Sequence, residues 1–331
     1  RGLGDVYKRQ VDVMVGVVVG SGGVVFVVFA AVAIVNVVAA DVGIDAAALC
    51  LKSCNAAILR GGSESFYSSS IITETIKQSF LKSGLPEGVL QNIPTKKRDA
   101  VGYLLKMDDY IDVIVPRGGK SLIERVIKES RIHVIRHLDG ICHTYIHKKS
   151  DPILAQKVVV NAKLRRTGIC GATETLLIDK EVLESHLPLI ISKLKENGCE
   201  IRGDKYVKNF DKSLKLANEK DWETEYLDAI ISIKTINNGV LEAIDHVNTY
   251  GSNHTDAIIS NDKKAVELFL NKVDSGIVMH NTSTQFADGG EFGMGAEIGI
   301  STSKLHARGP VGVSQLTSFK YKVWGNGQIR P

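Results

Sequence analysis

The stretch Asn161-Ala-Lys-Leu-Arg-Arg-Thr-Gly-Ile-Cys-Gly-Ala-Thr-Glu-Thr-Leu-Leu-Ile-Asp179 decides the fold. A helix-like run leads into Cys170, and the apolar strand 175–178 leads out, so the pattern predicts one helix–turn–strand unit of an α/β fold. Glycines at 168 and 171 favour a tight connection, where the backbone can lie close to a substrate. Cations at 163, 165 and 166 favour a thiolate on Cys170. The alternative is a packed core thiol, which is common for a cysteine among small residues.

Other segments occur in a fixed order along the chain, and together with Asn161–Asp179 they are more specific than any single motif. They are Asp45–Ser53, Ala57–Glu64, Val115–Ile123, His137–Tyr145, Gly251–Asp256, Phe286–Thr302 and Lys304–Pro310. From Gly43 to the C-terminus the chain resembles the γ-glutamyl phosphate reductase (glutamate-5-semialdehyde dehydrogenase) branch of the aldehyde dehydrogenase superfamily. The resemblance implies an aldehyde dehydrogenase-like α/β fold of two parallel-sheet domains plus a small oligomerisation strand element.

Composition narrows the class of protein. The chain has 331 residues, of which 44% are hydrophobic and 24% charged, enough for a large core and two domains. A net charge of +4 without a dominant basic run argues against nucleic acid. The five cysteines form no Cys-x-x-Cys pair, which favours a reducing, cytoplasmic location.

The front of the chain departs from the resemblance. Residues 1–10 look like a translated, non-native adapter and are excluded from fold reasoning. Valine dominates 11–40, a composition that suits buried parallel strands better than a membrane span interrupted by glycines. The resemblance implies that a preceding N-terminal part is lacking. It also implies that Asp41 occupies the position of an asparagine that donates to the oxyanion.

Two strand–glycine turn–helix units predict a cofactor site, because glycines let backbone N–H groups approach phosphate and ribose. The resemblance implies cofactor contacts from the first turn, the second turn and a glutamate before a later strand: Ser53, Asn55, Arg60, Gly61, Gly62, Ser63, Arg117, Gly118, Gly119 and Glu225. Arg60 without an acid at Ser63 favours a 2′-phosphate, hence NADP(H). Ordinary βα turns and a solvated glutamate remain the alternatives. Cys54 stands where the family has glycine and could crowd the first turn.

The segment His137–His143 is dense in histidine and cysteine, but no second cluster in the sequence supplies further ligands. We therefore expect no metal site. In the resemblance, Leu138 aligns with the glutamate that activates water in aldehyde-oxidising relatives. Loss of that base suits reduction of an acyl phosphate, since no water need attack the thioester.

The predicted domains are a truncated NADP-binding domain (11–165), a catalytic domain (166–308) and a C-terminal segment (309–331). In that segment Leu316–Trp324 alternates like an exposed edge strand, and the resemblance implies that it pairs subunits of a homo-oligomer. The implied reaction is NADPH-dependent reduction of L-glutamyl 5-phosphate through a thioacyl on Cys170, in proline biosynthesis beside glutamate 5-kinase. Another aldehyde dehydrogenase-like acyl reductase, or an inactive chain that only binds nucleotide, remains open.

Overall fold

The computed structural model describes residues 32–37, 40–319 and 321–330. The adapter-like start and the Val-rich run up to residue 31 lie outside these residues, as does the side chain of Asp41. Val32–Val37, within the Val-rich run, forms a strand. Among the described residues, no helix is both long and apolar enough to cross a membrane.

The chain divides into two compact units. One comprises the chain up to Ile135 with Ala296–Ile298 and Val311–Pro331, and the other comprises Arg136–Gly295 and Gly299–Pro310. The strand and the helix that precede Cys170 both belong to the second unit.

The first unit is built on a parallel sheet with strand order β3-β2-β1-β4-β5. Its strands are β1 (Val32–Val37), β2 (Ala56–Gly61), β3 (Leu90–Asn92), β4 (Val113–Pro116) and β5 (His133–Val134). Its helices are α1 (Ala40–Lys52), α2 (Phe66–Lys82), α3 (Asp99–Leu104) and α4 (Lys120–Glu129). Successive strands move outward from β1 in one direction to β3, and the chain then returns to place β4 on the other side of β1. In such sheets, ligands bind outside the carboxyl ends of the strands at this reversal.

The second unit contains a parallel sheet with strand order β12-β11-β6-β7-β10-β8-β9. Its strands are β6 (Cys142–Ile146), β7 (Thr173–Asp179), β8 (Glu200–Gly203), β9 (Lys215–Leu216), β10 (Ile230–Ile236), β11 (Thr255–Ile259) and β12 (Ile277–His280). The helices are α5 (Pro152–Leu164), α6 (Leu183–Glu196), α7 (Lys205–Phe210), α8 (Val240–Tyr250) and α9 (Lys263–Lys272). A short antiparallel pair, β13 (Ile300–Ser301) with β14 (Gly309–Pro310), completes it.

The central strands of the second sheet are buried because helices cover them. Every residue of β7 is buried, and Ile178 packs with Val159 of α5 and Leu187 of α6 in one core cluster. Such continuous burial is typical of parallel sheets covered on both faces. The prediction of two parallel-sheet α/β units is confirmed.

The predicted tail strand is not formed. Thr317–Phe319 and the described residues after Lys320 have irregular backbone, and Trp324 is 85% exposed. An alternating pattern makes a strand only where a neighbouring strand accepts its backbone hydrogen bonds. No strand of the described part of this chain pairs with the tail.

Cys54 strains the turn between α1 and β2. Its φ is 60°, in the left-handed region that glycine adopts without cost. We expect Cys54→Gly to raise the free energy of unfolding by about 1 kcal/mol, measured by urea denaturation. An equal gain from Cys54→Ala, which keeps the Cβ, would show that φ is not the cause.

Candidate active site

Cys170 lies on the connection from α5 to β7. Asp151 caps α5 by accepting a hydrogen bond from the Leu154 N–H at 2.7 Å, and Pro152 takes the first helical position, as predicted. The helix ends at Leu164, and Cys170 follows in a turn closed by the hydrogen bond from the Ala172 N–H to the Ile169 carbonyl, 3.0 Å. Cys170 itself is half-buried.

The second sheet brings together three segments that are distant in the sequence, one of which carries Cys170. His137, Cys170 and His254 precede β6, β7 and β11, which are neighbours in the order β11-β6-β7. Because the amino ends of parallel strands meet at one edge, these side chains converge. One ring nitrogen of each histidine and the Cys170 Sγ all lie within 4.8 Å of one another.

Each histidine ring is held in place. The rings of His137 and His254 meet edge to face, with centroids 5.3 Å apart. The Nδ1 of His137 lies 3.0 Å from the Ile300 carbonyl, and the Nδ1 of His254 lies 2.9 Å from the Thr255 Oγ1. Burial, with a smaller contribution from His137, lowers the pKa of His254 to about 3, so this ring is neutral at physiological pH.

The backbone of Gly140 packs directly against the backbone of Cys170. A Cβ at Gly140 would lie 2.1 Å from the Cys170 carbonyl oxygen and 2.5 Å from its Cα, so no side chain fits there. The Gly140 N–H donates to the Glu225 Oε1 at 2.9 Å, and the Cys142 Sγ donates to the Cys170 carbonyl at 3.1 Å. Glu225, Gly140 and Cys170 therefore form one contiguous set of contacts.

A buried ion pair joins the two ends of the Cys170 connection. Lys163, in the last turn of α5, lies 2.5 Å from the Glu174 carboxylate on β7, and both side chains are fully buried. Burial raises the pKa of Glu174 to about 7, against the lowering effect of Lys163. The pair therefore fixes the spacing between helix and strand on either side of the thiol.

Gln285 satisfies the carboxyl end of α5. Its Nε2 donates to the Ala162 carbonyl at 2.8 Å and to the Arg166 carbonyl at 3.2 Å. The last carbonyls of a helix lack partners within the helix, so this side-chain amide takes the place of a cap. We assigned Gln285 no role from the sequence, and the structure gives it a positioning one.

The five cysteines differ sharply in environment. Burial raises the pKa of Cys50 to about 12 and of Cys199 to about 11, and it raises the pKa of Cys142 well above its ordinary value. Only Cys54 and Cys170 are half-buried rather than buried, and Cys170 alone of these two stands beside histidines. A reactive thiol needs both access and a polar surrounding, so Cys170 is the candidate nucleophile.

In the first unit, the predicted turn residues lie at the carboxyl ends of their strands. Arg60 and Gly61 end β2, and Gly62 and Ser63 follow toward α2. Burial, and then the nearby charge of Arg98, lower the pKa of Arg60. Two cations this close favour a dianionic ligand between them.

The second predicted turn lies at the reversal of the first sheet. Arg117, Gly118 and Gly119 follow β4, the strand beside β1, and Gly119 is the N-terminal cap of α4. Backbone N–H groups at such a helix start suit a phosphate group. The arrangement fits a dinucleotide.

Ser53 and Asn55 are both buried and bonded within the first unit. The Ser53 Oγ donates to the carbonyls of Leu49 and Cys50 at 2.8 and 2.9 Å. The Asn55 Nδ2 donates to the Ser53 Oγ at 2.9 Å and to the Leu316 carbonyl at 2.7 Å. These contacts give both residues a structural role within the first unit, and their expected contact with the cofactor stays a prediction.

Comparison with known proteins supplies the family. The model of the aldehyde dehydrogenase family matches residues 36–202. The γ-glutamyl phosphate reductase of Paramagnetospirillum magneticum is 58% identical over 291 residues, covering 88% of this chain and 69% of the relative. The chain belongs to the γ-glutamyl phosphate reductases of the aldehyde dehydrogenase family.

Solved structures agree with this membership. The γ-glutamyl phosphate reductase of Thermotoga maritima superposes with a TM-score of 0.89 at 35% identity, covering 93% of this chain and 74% of that one. An engineered glycolyl-CoA reductase with bound NADP⁺ superposes with a TM-score of 0.67 at 14% identity, covering 92% of this chain and 78% of that one. The second likeness concerns the fold alone. The predicted aldehyde dehydrogenase-like fold is confirmed.

In this member of the γ-glutamyl phosphate reductase family, several residues around the thiol could not be predicted from the sequence. His254 lies in a quoted motif, yet its role depends on β11 lying beside β6, an order that the sequence does not reveal. The sequence shows no second ligand cluster for His137, whereas the fold brings Cys170 and His254 close to it; the expectation of no metal site stays a prediction. A usable signal for His254 would have been its position directly before a strand, Thr255–Ile259.

We expect Gly140→Ala to lower kcat about a hundredfold, because the new Cβ must displace Cys170 and a misplacement of about 1 Å costs on this order. The matched control is Gly168→Ala in the same connection, where the new Cβ would approach nothing closer than the Leu227 carbonyl at 3.9 Å. Steady-state kinetics and NADPH binding are measured for both. Equal kcat values for the two variants would contradict the assigned contact.

Proposed function

We propose that this chain reduces L-glutamyl 5-phosphate to L-glutamate 5-semialdehyde and phosphate, with Cys170 as the nucleophile. The observation that carries the proposal is the half-buried Cys170 at the amino edge of the sheet, beside His137 and His254. The substrate is inferred from membership of the γ-glutamyl phosphate reductases. The product belongs to proline biosynthesis.

The reaction begins when the Cys170 thiolate attacks the acyl carbon of the phosphate anhydride. The C–O bond to phosphate breaks with its electron pair, phosphate leaves, and a thioester to Cys170 remains. The nicotinamide cofactor supplies the hydride that reduces this thioester. The oxyanion that results collapses, the C–S bond breaks, and the thiolate returns with its electron pair while the aldehyde leaves.

No step of this sequence requires a base that activates water. Leu138, at the position of the glutamate in aldehyde-oxidising relatives, is half-buried and directly follows His137. An apolar side chain there does not activate water, so the thioester is preserved for hydride rather than hydrolysed. Leu138 thus favours an acyl reductase over an aldehyde oxidiser.

The oxyanion is stabilised in this proposal by the Cys170 backbone N–H. Gly140 and Gln285 hold the backbone on either side of that donor. Asp41 stands where relatives supply an asparagine donor, and an ionised carboxylate cannot donate. Loss of one donor typically costs about a hundredfold to a thousandfold in kcat. Asp41→Asn is therefore the substitution that would restore this hydrogen-bond donor.

The cofactor is a nicotinamide dinucleotide, and we assign NADP(H). Arg60 and Arg98 form the cation pair that suits a 2′-phosphate, and Ser63 adds no opposing charge. Arg117, Gly118 and Gly119, at the reversal of the sheet, would hold the pyrophosphate. Glu225 would hold the nicotinamide ribose, and it accepts a hydrogen bond from the Gly140 N–H beside the nucleophile.

We expect Arg60→Ala to weaken NADPH binding by about tenfold to a hundredfold and to leave NADH binding nearly unchanged, since a charge-assisted hydrogen bond is worth about 1.5–3 kcal/mol. The quenching of protein fluorescence reports both dissociation constants. Arg131→Ala, an exposed arginine of the same unit, is the control. Equal losses of affinity for NADPH and NADH would show that Arg60 does not bind the 2′-phosphate.

The remaining parts of the proposal concern partners and place. We propose a homo-oligomer in which the exposed tail finds a strand partner on another copy, since Phe319, Tyr321 and Trp324 are all at least 77% exposed. Acyl phosphates hydrolyse readily, so we propose delivery from glutamate 5-kinase. Five cysteines, none of them in a disulfide, suit a reducing cytoplasm.

The test runs the reaction in reverse. Purified protein with glutamate 5-semialdehyde and NADP⁺ should form more than one NADPH per chain only when inorganic phosphate is present, because phosphate must release the acyl group before the next turnover. NADPH formation that proceeds equally without phosphate would identify an aldehyde oxidiser instead. Binding of NADPH without turnover in either direction would identify a chain that only binds nucleotide.

A further inference from the structure

The group around Cys170 has the composition of a soft-metal site. One thiol sulfur and one nitrogen from each of two imidazoles lie within 4.8 Å of one another. Thiolate and imidazole are the ligands that Zn²⁺ prefers, whereas Mg²⁺ and Ca²⁺ prefer oxygen. The proposed reduction uses none of this metal-binding capacity.

His254 provides an independent observation. Its ring is completely buried, and its Nε2 has no hydrogen-bond partner among the described residues. A buried polar atom without a partner costs about 1–3 kcal/mol. A ligand at this position would remove that cost.

The rings are also oriented as metal ligands commonly are. The Nδ1 atoms of His137 and His254 contact the Ile300 carbonyl and the Thr255 hydroxyl. A second hydrogen bond of this kind fixes the ring of a metal-binding histidine, and in His254 the Nε2 is the nitrogen without a partner among the described residues. The nearby Cys142 thiol donates to the Cys170 carbonyl, 3.1 Å away, so it is not counted among the ligands.

We propose that Cys170, His137 and His254 bind Zn²⁺ or a similar thiophilic ion, and that bound metal reversibly blocks the nucleophile. Tetrahedral zinc, with bonds of about 2.0–2.3 Å, places its ligand atoms roughly 3.3–3.6 Å apart. The present separations of up to 4.8 Å close to that range through side-chain rotation of the half-buried Cys170 and His137. The block of turnover rests on the proposed function, whereas metal binding does not.

Binding is measured without any activity assay. Untagged, reduced protein freed of metal by a chelator is titrated with Zn²⁺ against a chromophoric chelator, and separately with Co²⁺ while thiolate-to-cobalt absorption is recorded. We expect one site with a sulfur ligand. Cys170→Ser should abolish the absorption, and His254→Gln and His137→Gln should each weaken Zn²⁺ binding at least about tenfold.

The matched control is His246→Gln, another buried histidine of the same unit, whose ring packs on Tyr250 with centroids 4.6 Å apart. It should bind Zn²⁺ like the parent. Because His254 is fully buried, thermal unfolding is recorded for each variant. If His254→Gln does not fold, the half-exposed His137→Gln decides the outcome.

Alkylation reports the occupation of the nucleophile. Zn²⁺ should slow the reaction of iodoacetamide with Cys170 at least about tenfold, and excess chelator should restore it. Unchanged affinity in the histidine variants, or unchanged alkylation at saturating Zn²⁺, would overturn the proposal. A chain without turnover that still binds Zn²⁺ through these residues would refute the proposed function and leave the site intact.

Discussion

Cys170→Ala is expected to lower turnover by roughly a millionfold, to the background rate, because removal of a covalent nucleophile leaves no thioester to reduce. NADPH binding should stay within about twofold of the parent, because the residues assigned to the cofactor, other than Glu225, lie in the first unit. The measurement is phosphate-dependent NADP⁺ reduction together with NADPH titration.

The control for this loss is Cys54→Ser. Cys54 is the other cysteine that is not buried, and it lies in the turn before β2. A serine there should retain the activity of the parent. If activity survived in Cys170→Ala but was lost in Cys54→Ser, the nucleophile would be Cys54 in the first unit rather than Cys170 in the second.

Lys163→Met is expected to lower the free energy of unfolding of the second unit by about 3–5 kcal/mol, because it leaves the Glu174 carboxylate buried without its partner. The double variant Lys163→Met/Glu174→Leu should recover most of this loss, since well-packed apolar residues can replace a buried pair. Urea denaturation followed by tryptophan fluorescence provides the measurement, with Trp222 buried in that unit.

An exposed pair provides the contrast. Lys193 and Glu196 lie 2.8 Å apart on α6 with 50% and 54% of their side chains exposed. Lys193→Met should change stability by no more than about 1 kcal/mol. If it cost as much as Lys163→Met, burial would not be the origin of the larger effect.

The sequence was sufficient where local pattern determines structure. The Asp151–Pro152 start of α5, the strand at Ile277–His280 and the glycine turns after β2 and β4 follow from capping, periodicity and turn chemistry. The position of Cys170 on a helix-to-strand connection follows from the same signals. These features depend on a few neighbouring residues.

Features that depend on strand order could not be predicted from the sequence. His254 reaches Cys170 only because β11 pairs with β6, although the chain visits four other strands between them. Ser53 and Asn55 looked suited to a ligand, but their polar groups bond to backbone and to each other. Their surroundings include Leu316, which lies far away in the sequence, and no local pattern reports such a contact.

In the tail, the sequence pattern predicts a strand that the described residues do not form. Alternation over Leu316–Trp324 predicts a strand, yet the described residues there form none. Side-chain alternation states what a strand would bury, whereas pairing requires a free edge that another chain must supply. A pattern within one chain cannot distinguish the two situations.

The most direct test of the central claim is the detection of an acyl group on Cys170. Protein mixed with glutamate 5-semialdehyde and NADP⁺ without phosphate is quenched with acid within the first turnover and analysed by intact mass and peptide mapping. The account predicts about one NADPH per active chain and a glutamyl adduct on the peptide that contains Cys170. NADPH formation with Cys170 unmodified, or with the adduct on another residue, would contradict it.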